Sequence, residues 1–431
     1  AMRIAKAEIE ALQEPLKSAF AFKGSASARP MWNTAVRLAS EDGFRSLGLA
    51  NQGILWSDAA AYHRFSSTGG NALMYLMSDF ACQRACEMDF ERPDELLRAL
   101  LPEVWEYGKR VSGLPGLRQT FALNALVALD TAAWLLYARH EGIRDFDSLV
   151  PAHARAALSA RHRQIAAIPL ITYTASLRDV LREVEDGRFF LKIKIGSDPE
   201  HDGDPEKMLA WDQQRLREIH EALRDVPCAH SDTGRIPYYL DANGRYDTAD
   251  RLLRLLDFAD HIGALERILF LEEPFPEEME MDVSRFPVRL AADESAHSAQ
   301  DVRRRIDMGY GAIALKPIAK TMSVSFDMLA VAHERGVPCF CADLTVNAWM
   351  VDLNKNFAAR LAAPPGLKVG LLESNGHQYY ARWPAMVDSL PHPNGAWVRP
   401  VHGLYSLDGE FYATSGGLFE ESPLYSSLFD D

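Results

Sequence analysis

Cysteine is scarce in this sequence, with five residues among 431. Cys82 and Cys86 lie one helical turn apart, but no second cysteine pair or histidine pair stands at a spacing that would complete a zinc site. A structural zinc module is therefore not expected. The simple expectation for a chain with so few cysteines is a reducing, cytoplasmic compartment.

Positive charge is also in short supply. The chain has 46 Lys and Arg residues against 60 Asp and Glu residues, which gives a net charge of -14. Without a basic stripe to pair with phosphates, a nucleic-acid partner is not expected. An anionic small molecule stays open as a ligand, because a local cationic pocket can lie within an acidic protein.

Long apolar runs and glycine-rich phosphate loops are missing as well. No run of about 18 apolar residues predicts a membrane span, and the first residues show no apolar signal core. No G-x-G-x-x-G or Walker sequence predicts a nucleotide site. With 48% hydrophobic and 25% charged residues, the composition is that of a globular protein with a large core, and the length predicts two or three domains.

The first 150 residues predict an α+β domain. Alternating residues predict strands at 3–12, 34–39 and 44–49, and spaced apolar residues predict helices at 71–84, 93–108 and 117–139. The segments 17–30 and 51–70 are interpreted as loops. Residues 379–431 are rich in Pro, Gly and aromatic residues, and we expect them to pack back across the N-terminal domain.

Between residues 151 and 378, short apolar runs alternate with helical patterns. The runs lie at 166–172, 189–195, 236–240, 268–271, 288–292, 312–315, 337–341 and 367–372, and the helices between them include 205–223, 248–261, 299–308 and 322–335. Repeated strand–helix alternation predicts a parallel sheet. Eight such strands fit a closed α/β barrel better than an open sheet.

Two lysines stand in the predicted strand at 189–195. Lys192 and Lys194 are two residues apart, so their side chains share one face of the strand. An exposed edge strand with solvated lysines is one interpretation. The alternative is a buried strand whose two ammonium groups are compensated by acidic neighbours.

The ends of the following strands carry those acids. Asp241 follows the third strand, Glu272 ends the fourth, Asp293 follows the fifth, and Lys316 follows the sixth. In a barrel these strand ends meet at one rim. Three carboxylates there would repel one another unless they held a hard divalent cation, most often Mg²⁺. The alternative, that each acid only caps the next helix, explains three consecutive strands poorly.

The charges predict a reaction. A substrate carboxylate at the metal and Lys192 would leave its α-proton exposed to Lys194, whose pKa the crowded cationic site would lower. Metal and ammonium groups would stabilise the resulting enediolate. Lys316, four strands round the ring, would act from the opposite face, so a proton could leave on one side and return on the other.

With these residues at its strand ends, the chain resembles the enolase superfamily, in its muconate-lactonizing-enzyme-like branch. The matching motifs are Lys192-Ile-Lys194, Asp241-Ala-Asn243, Glu272-Glu273-Pro274, Ala292-Asp293-Glu294-Ser295 and Leu315-Lys316. The resemblance implies a modified TIM barrel, (β/α)7β, at residues 151–378, with an α+β capping domain at residues 1–150. A lysine base with magnesium is the known chemistry of that superfamily.

The resemblance also assigns roles. Asp241, Glu272 and Asp293 match metal ligands for Mg²⁺, or Mn²⁺ in its place; Lys194 and Lys316 match the acid/base pair, and Lys192 matches the group that neutralises the substrate carboxylate. Glu273 and Glu294 are expected behind the ligands, because adjacent strand residues point apart. Asn243, Glu373 and Asn375 are expected to contact the substrate, a small-molecule carboxylate. A homo-oligomer is also expected.

The reaction implied is racemisation or epimerisation, cycloisomerisation or dehydration, so the protein would be an isomerase or a lyase. Glu373-Ser374-Asn375 stands where dipeptide epimerases carry Asp-x-Asp, which makes dipeptide epimerisation doubtful. Trp56, in the predicted segment 51–70, is a further candidate for substrate contact. Two alternatives stay open: a Schiff-base aldolase with Lys316 as its nucleophile, and a catalytically silent binding barrel.

Overall fold

The computed structural model describes residues 1–17, 20–22, 25–27 and 29–430, with backbone alone at 20–22 and 25–27. The predicted loop at 17–30 thus lies partly outside the described residues. Within it, Phe20–Phe22 and Ser25–Ser27 pair as a short antiparallel ladder, so the interpretation as a loop is wrong for those two stretches.

The N-terminal region forms a four-stranded antiparallel sheet covered by helices. In order across the sheet, the strands are Arg45–Asn51, Met31–Ser40, Met2–Glu14 and Asp89–Phe90. The main helices are Ala59–Ala85, Pro93–Ser112 and Gln119–Glu141, and short helices lie at Ile54–Ser57 and Phe146–Leu149. This region is called the cap below.

The helix Gln119–Glu141 is the core of the cap. By length and composition it could cross a membrane, but 94% of its most apolar window is buried within the protein, as is usual for a core helix. The sheet approaches this helix very closely at Gly48, where an added Cβ would lie 2.1 Å from the carbonyl oxygen of Ala128. Glycine at this position therefore sets the distance between sheet and helix.

The prediction of a loop at 51–70 is wrong, because that segment is mostly helical. Asp58 caps the helix Ala59–Ala85 by accepting a hydrogen bond from the backbone N–H of Ala61 at 3.0 Å. The Ser- and Gly-rich stretch interrupts the helix once, by a kink at Ser66 with φ 65°. The N-terminal hydrogen bond to Asp58 and packing against the other helices of this region outweigh the weak helix propensity of the Ser and Gly residues.

Residues 164–373 form the barrel. Its strands one to eight are Gln164–Ile168 continued by Leu170–Ile171, then Leu191–Lys194, Tyr238–Asp241, Ile268–Glu272, Leu290–Ala292, Ala312–Leu315, Cys339–Cys341 and Gly370–Glu373. All neighbouring pairs among them are parallel. The fold class expected from the sequence, an α/β barrel with an α+β cap, is confirmed.

The first strand closes the barrel in two halves, which are separated by Pro169. Gln164–Ile168 pairs with the eighth strand, whereas Leu170–Ile171 pairs with the second strand. Beside the first half lies Leu404–Ser406, an antiparallel strand from the C-terminal region. This strand covers the edge of Gln164–Ile168 that does not pair with the eighth strand.

Helices follow most barrel strands and surround the wall. They are Leu177–Glu185, Pro205–Leu223, Ala249–His261, Ala299–Met308, Pro317–Lys320, Met322–Glu334 and Ala348–Ala358, with 3-10 turns at Ala152–Ala154, Ala156–Leu158 and Leu265–Arg267. The C-terminal region adds Gly376–Tyr379, Trp383–Asp388, Gly409–Thr414 and Pro423–Ser426, with 3-10 turns at Ser415–Gly417 and Ser427–Phe429.

The C-terminal region packs on both the cap and the barrel, which is more than the sequence indicated. On the cap side, Arg382 forms a salt bridge of 2.9 Å with the buried carboxylate of Glu14. On the barrel side, the buried Lys355 donates to Asp352 at 2.8 Å and to the carbonyl oxygen of Trp397 at 2.7 Å. The region thus fastens the two parts of the molecule together.

Candidate active site

Strand register brings Lys194, Asp241 and Glu272 together at the barrel mouth. Lys194 pairs in register with Asp241, and Asp241 pairs with Glu272. Cross-strand neighbours in register project on the same side of the sheet. Asp293 lies two residues beyond Ala291, the register partner of Glu272, so its side chain is on that same side.

Lys194 contacts the third strand. Its Nζ donates to Asp241 Oδ2 at 2.6 Å and to Asn243 Oδ1 at 2.7 Å. Burial acts to raise the pKa of Asp241, but the charges of Lys194 and Lys192 outweigh it and hold that pKa below its usual range. Asn243 also donates to Glu294 Oε1 at 2.9 Å, so the amide links the lysine to a buried acid of the fifth strand.

Lys192 is surrounded by carboxylates. Oxygens of Glu272, Glu373 and Asp241 lie 2.8, 3.0 and 3.1 Å from its Nζ, as many as the ammonium has N–H bonds. Burial acts to lower the pKa of Lys192, but Glu272 and Glu373 raise it well above its usual value. The solvated-edge interpretation is therefore wrong, since the side chain is 3% exposed.

Glu272 lies at the centre of the acidic group. Its Oε2 accepts a hydrogen bond of 2.5 Å from Tyr239, and its Oε1 is buried and accepts none within the described structure. Burial and the charges of Asp241 and Asp293 raise its pKa well above the usual value. A carboxylate with an unused buried oxygen between two other carboxylates is a natural position for a cation.

Lys316 and the cap meet at Asp293. Lys316 Nζ donates to Asp293 Oδ2 at 2.6 Å, and Trp56 Nε1 donates to the same oxygen at 3.1 Å. The ammonium also lies 4.4 Å from the centre of the Trp56 ring, a cation–π distance. Trp56 therefore connects the cap directly to the barrel's sixth-strand lysine and fifth-strand acid.

Lys320 is a charged residue that the sequence analysis missed. It is fully buried, donates to the carbonyl oxygens of Asp293 and Ala296 at 2.8 Å each, and lies 3.1 Å from Asp293 Oδ1. It stands four residues after Lys316, at the end of Pro317–Lys320. That spacing of one helical turn was the available signal.

Glu273 contacts the backbone at the end of the fifth strand, and Glu294 accepts a hydrogen bond from Asn243; their expected place behind the metal ligands stays a prediction. Glu273 Oε2 accepts from the backbone N–H of Asp293 at 2.7 Å and from both the N–H and Oγ of Ser295. Burial and the nearby Glu294 raise the pKa of Glu273 to about 7. Its role in the structure is to hold the end of the fifth strand.

The last two strands supply a second acidic pair, of which Asp343 was not predicted as a site residue. Glu373 Oε1 accepts from Lys192 and from the backbone N–H of Asp343. Asp343 in turn accepts from the backbone N–H groups of Leu344 and Asn375 at 2.8 Å each. Burial and Glu373 raise the pKa of Asp343 to about 7.

Part of this cluster lines a cavity of about 90 Å³, partly open to solvent, between the cap and the barrel mouth. The predicted residues that line it are Lys192, Lys194, Asp241, Asn243, Lys316, Glu373, Asn375 and Trp56. Glu272, Glu273, Asp293 and Glu294 lie behind this surface. The outer wall is largely apolar and comes mainly from the cap.

The donor set suits a hard divalent cation in its chemistry. In the described part of the chain, no three acidic, histidine or cysteine side chains stand as a ready-made metal cage, because ammonium groups hold the inner oxygens of Asp241 and Asp293. Glu272 Oε1 and Asp293 Oδ1 are buried acceptors that receive no hydrogen bond within the described structure. Asp241, Glu272 and Asp293 are therefore the residues that fit such an ion, with oxygen ligands of the type that Mg²⁺ prefers.

Comparison with known proteins identifies the family. The family described as enolase C-terminal domain-like matches residues 176–396, more than half of the chain. No curated protein matches the sequence. Among solved structures, a mandelate racemase/muconate lactonizing protein from Herpetosiphon aurantiacus is 20% identical, with 94% of this chain and 96% of that chain covered and a TM-score of 0.64.

Two other solved structures are similar. A dipeptide epimerase from Enterococcus faecalis V583, in complex with Mg and the dipeptide L-Leu-L-Tyr, is 16% identical over 86% of this chain and 90% of that chain, with a TM-score of 0.60. A 2-chloromuconate cycloisomerase from Rhodococcus opacus 1CP is 16% identical over 94% of each chain, also with a TM-score of 0.60.

The chain belongs to the enolase superfamily, in the group of mandelate racemase and muconate lactonizing enzymes. The family match identifies an enzyme, whereas likeness to solved structures at 20% identity or less carries the fold and no particular reaction.

Proposed function

We propose that this enzyme removes the proton α to a substrate carboxylate and that the enediolate so formed leads to racemisation or epimerisation, cycloisomerisation or dehydration. The observation that carries the proposal is a pair of buried lysines, one on strand two and one directly after strand six. Lys194 and Lys316 each contact a carboxylate of the strands between them, at 2.6 Å from Asp241 and from Asp293.

The chain's own residues would share the work of moving the proton. Lys194 belongs to the second of eight barrel strands and Lys316 follows the sixth, so we expect their ammonium groups on opposite sides of the barrel mouth. One would then accept the α-proton and the other would return a proton on the opposite face. Asn243 orients Lys194 through its 2.7 Å contact, and Trp56 covers Lys316 and limits access of water to it. Removal of water strengthens the electrostatic contacts inside the site.

Asp241, Glu272 and Asp293 would hold a divalent cation, Mg²⁺ or Mn²⁺. When bound, such an ion supplies positive charge that stabilises the developing enediolate oxygens. Lys192 is the residue that we assign to the substrate carboxylate, although Glu272 and Glu373 now compete for its N–H groups. Cation binding by Glu272 would release one of those contacts.

The test is α-proton exchange in heavy water, followed by NMR, for panels of N-acylamino acids, dipeptides, muconates and sugar acids with Mg²⁺. Lys194→Ala and Lys316→Ala should each lower exchange by about 10²- to 10⁴-fold, the usual contribution of a general acid or base. For a racemising pair, each variant should retain exchange for one enantiomer and lose it for the other. Lys207→Ala, at an exposed lysine, is the control.

Calorimetry with Mg²⁺ gives an independent measurement, in which Glu272→Gln should weaken metal binding without the need for a substrate. Exchange that survives in the double variant Lys194→Ala/Lys316→Ala would show that the assigned bases are wrong. Borohydride trapping of a carbonyl substrate on Lys316, without a metal requirement, would instead support the Schiff-base aldolase. Metal binding without exchange on any acid of the panel would support the silent barrel.

A further inference from the structure

Two buried polar atoms of residues that line the cavity have no hydrogen-bond partner within the described structure. They are Gln52 Oε1, from the cap, and Thr345 Oγ1, from the loop after the seventh barrel strand. Their residues are 2% and 1% exposed, and both line the cavity. A buried polar atom without a partner costs about 1–3 kcal/mol, so both positions favour a ligand that completes their hydrogen bonds.

The orientation of the Gln52 amide is fixed by its neighbours. Gln52 Nε2 lies 2.9 Å from the carbonyl oxygen of Asn71, an atom that only accepts hydrogen bonds. It also donates to Asn71 Oδ1 at 3.0 Å, and Asn71 Nδ2 donates to the carbonyl oxygen of Ser67 at 2.9 Å. Because two backbone carbonyls anchor this chain of amides, the remaining atom of Gln52 is its oxygen, an acceptor.

The cap and the barrel are joined by hydrogen bonds next to Gln52 and Thr345. Asn51, next to Gln52, donates to the carbonyl oxygen of Leu344 at 2.6 Å and lies 3.3 Å from that of Thr345. Tyr380 donates to the Thr345 carbonyl at 2.6 Å, and Thr345 itself has φ 54°. The backbone beside both polar atoms is thus held by hydrogen bonds, which makes their positions well defined.

Much of the cavity wall is apolar, although the charged side chains of Arg29 and Asp343 line it as well. Met31, Ile54, Leu55, Leu170 and Leu344 line the cavity together with Gln52 and Thr345. A neutral amide acceptor in such a wall suits a neutral donor, because an isolated charge would be poorly solvated there. Few polar groups in an apolar wall are what fixes the orientation of a ligand in most small-molecule sites.

We propose that the substrate carries an N–H or O–H donor on a part of the molecule other than the reacting carboxylate, and that Gln52 Oε1 receives that donor, with Thr345 Oγ1 as a second acceptor in the same cavity. The rest of that part is apolar. The substrate is then an amide-bearing or hydroxyl-bearing carboxylic acid, and a diacid of pure hydrocarbon is a poor ligand. This inference rests on the proposed function for the end at which the carboxylate reacts.

The experiment uses matched pairs of acids in which one N–H or O–H is replaced by an ester oxygen or a methylene group. Calorimetry on the Mg²⁺-loaded full chain gives Kd for both members of each pair, and exchange in heavy water gives kcat/KM. For at least one pair, the wild-type protein should prefer the donor-bearing member by about 10- to 100-fold, the range of one buried hydrogen bond.

Substitutions assign the preference to its residues. Gln52→Leu should reduce it to within about twofold, whereas Gln83→Leu, at an exposed glutamine, should leave it unchanged. Thr345→Ala should reduce the preference in part, and Thr345→Ser, which keeps the hydroxyl, should preserve it. These ratios separate recognition of the donor from a general loss of folding, which would weaken both members of a pair equally.

The outcomes are distinct. Equal affinity within every pair, a preference that survives Gln52→Leu, or binding of no donor-bearing acid overturns the inference. A preference in Kd that depends on Gln52 supports the inference even if no acid exchanges its α-proton, and that combination overturns only the proposed function.

Discussion

Asp212 provides a measurable link between burial, pH and stability. Its side chain is fully buried on the helix Pro205–Leu223. Both carboxylate oxygens lie 2.9 Å from the backbone N–H of Gly196, and Tyr246 donates to one of them at 2.7 Å. Gly196 stands two residues after Lys194 with φ 84°, so Asp212 holds the chain directly beyond the proposed base.

Burial raises the pKa of Asp212 to about 7, although the hydrogen bonds from Tyr246 and Gly196 oppose the shift. In the unfolded chain the group titrates near an ordinary aspartate value of about 3.9. Between these two values the folded protein keeps a proton that the unfolded chain has released. The free energy of unfolding therefore falls as pH rises through this window, by up to about 1.4 kcal/mol per pH unit and about 4 kcal/mol in all.

Asp212→Asn isolates this contribution. The asparagine amide stays neutral and can accept from Gly196 while donating to Tyr246, as a protonated carboxyl group can. Urea unfolding of both proteins from pH 4 to pH 8 should show the wild-type stability falling relative to the variant by up to about 4 kcal/mol. Asp225→Asn, at a side chain that is 87% exposed, should show no comparable trend.

A constant difference between wild type and Asp212→Asn across this range would refute the reasoning. It would mean that the three hydrogen bonds outweigh burial and that the carboxylate is ionised in the folded protein at every pH tested. A difference that rises with pH would mean that the folded pKa lies below the unfolded one.

Two further substitutions test packing and buried charge. Gly48→Ala should lower the free energy of unfolding by about 1–3 kcal/mol or more, because the new Cβ would lie 2.1 Å from the backbone oxygen of Ala128. Gly116→Ala, with open space around it, should have little effect. Equal losses of stability in the two variants would contradict this account. Lys355→Met should cost about 3–5 kcal/mol in urea unfolding, because it leaves the carboxylate of Asp352 buried and unpaired. Adding Asp352→Asn should restore part of that loss, and a double variant no more stable than Lys355→Met would count against the charge as the cause.

The row formed by Lys194, Asp241 and Glu272 could be predicted from the sequence, because it depends only on strand position and register. Strand ends meet at one rim of a parallel barrel, and register then places Lys194, Asp241 and Glu272 side by side. No distant contact is needed for that inference. The pattern of alternating strands and helices similarly sufficed for the fold class.

The contacts of Lys320, Trp56 and Asp343 could not be predicted in the same way. Lys320 reaches Asp293 from the end of the short helix that follows the sixth strand. Trp56 reaches Asp293 across 237 positions of sequence, by means of the docking of the cap on the barrel. Such contacts depend on how separate elements pack, and a single sequence carries little information on that packing.

The helix found at the predicted loop 51–70 likewise depends on packing between elements rather than on local propensity. Serine, threonine and glycine between Ser66 and Gly70 disfavour a helix by intrinsic propensity. Packing inside the cap nevertheless keeps the segment helical, at the cost of one positive φ at Ser66. Burial by neighbouring elements decides such cases.

The strand Leu404–Ser406 has a consequence for the order of events during synthesis. It lies 238 positions after Ala166, its register partner in the first barrel strand. At translation rates of roughly 5–20 residues per second, about 10 to 50 s separate the two segments. During that interval the edge of Gln164–Ile168 has unpaired backbone groups, and exposed edges of this kind promote aggregation. A nascent chain interrupted before Leu404 would keep this edge open, so premature termination is expected to yield aggregating fragments that chaperones and proteases must remove.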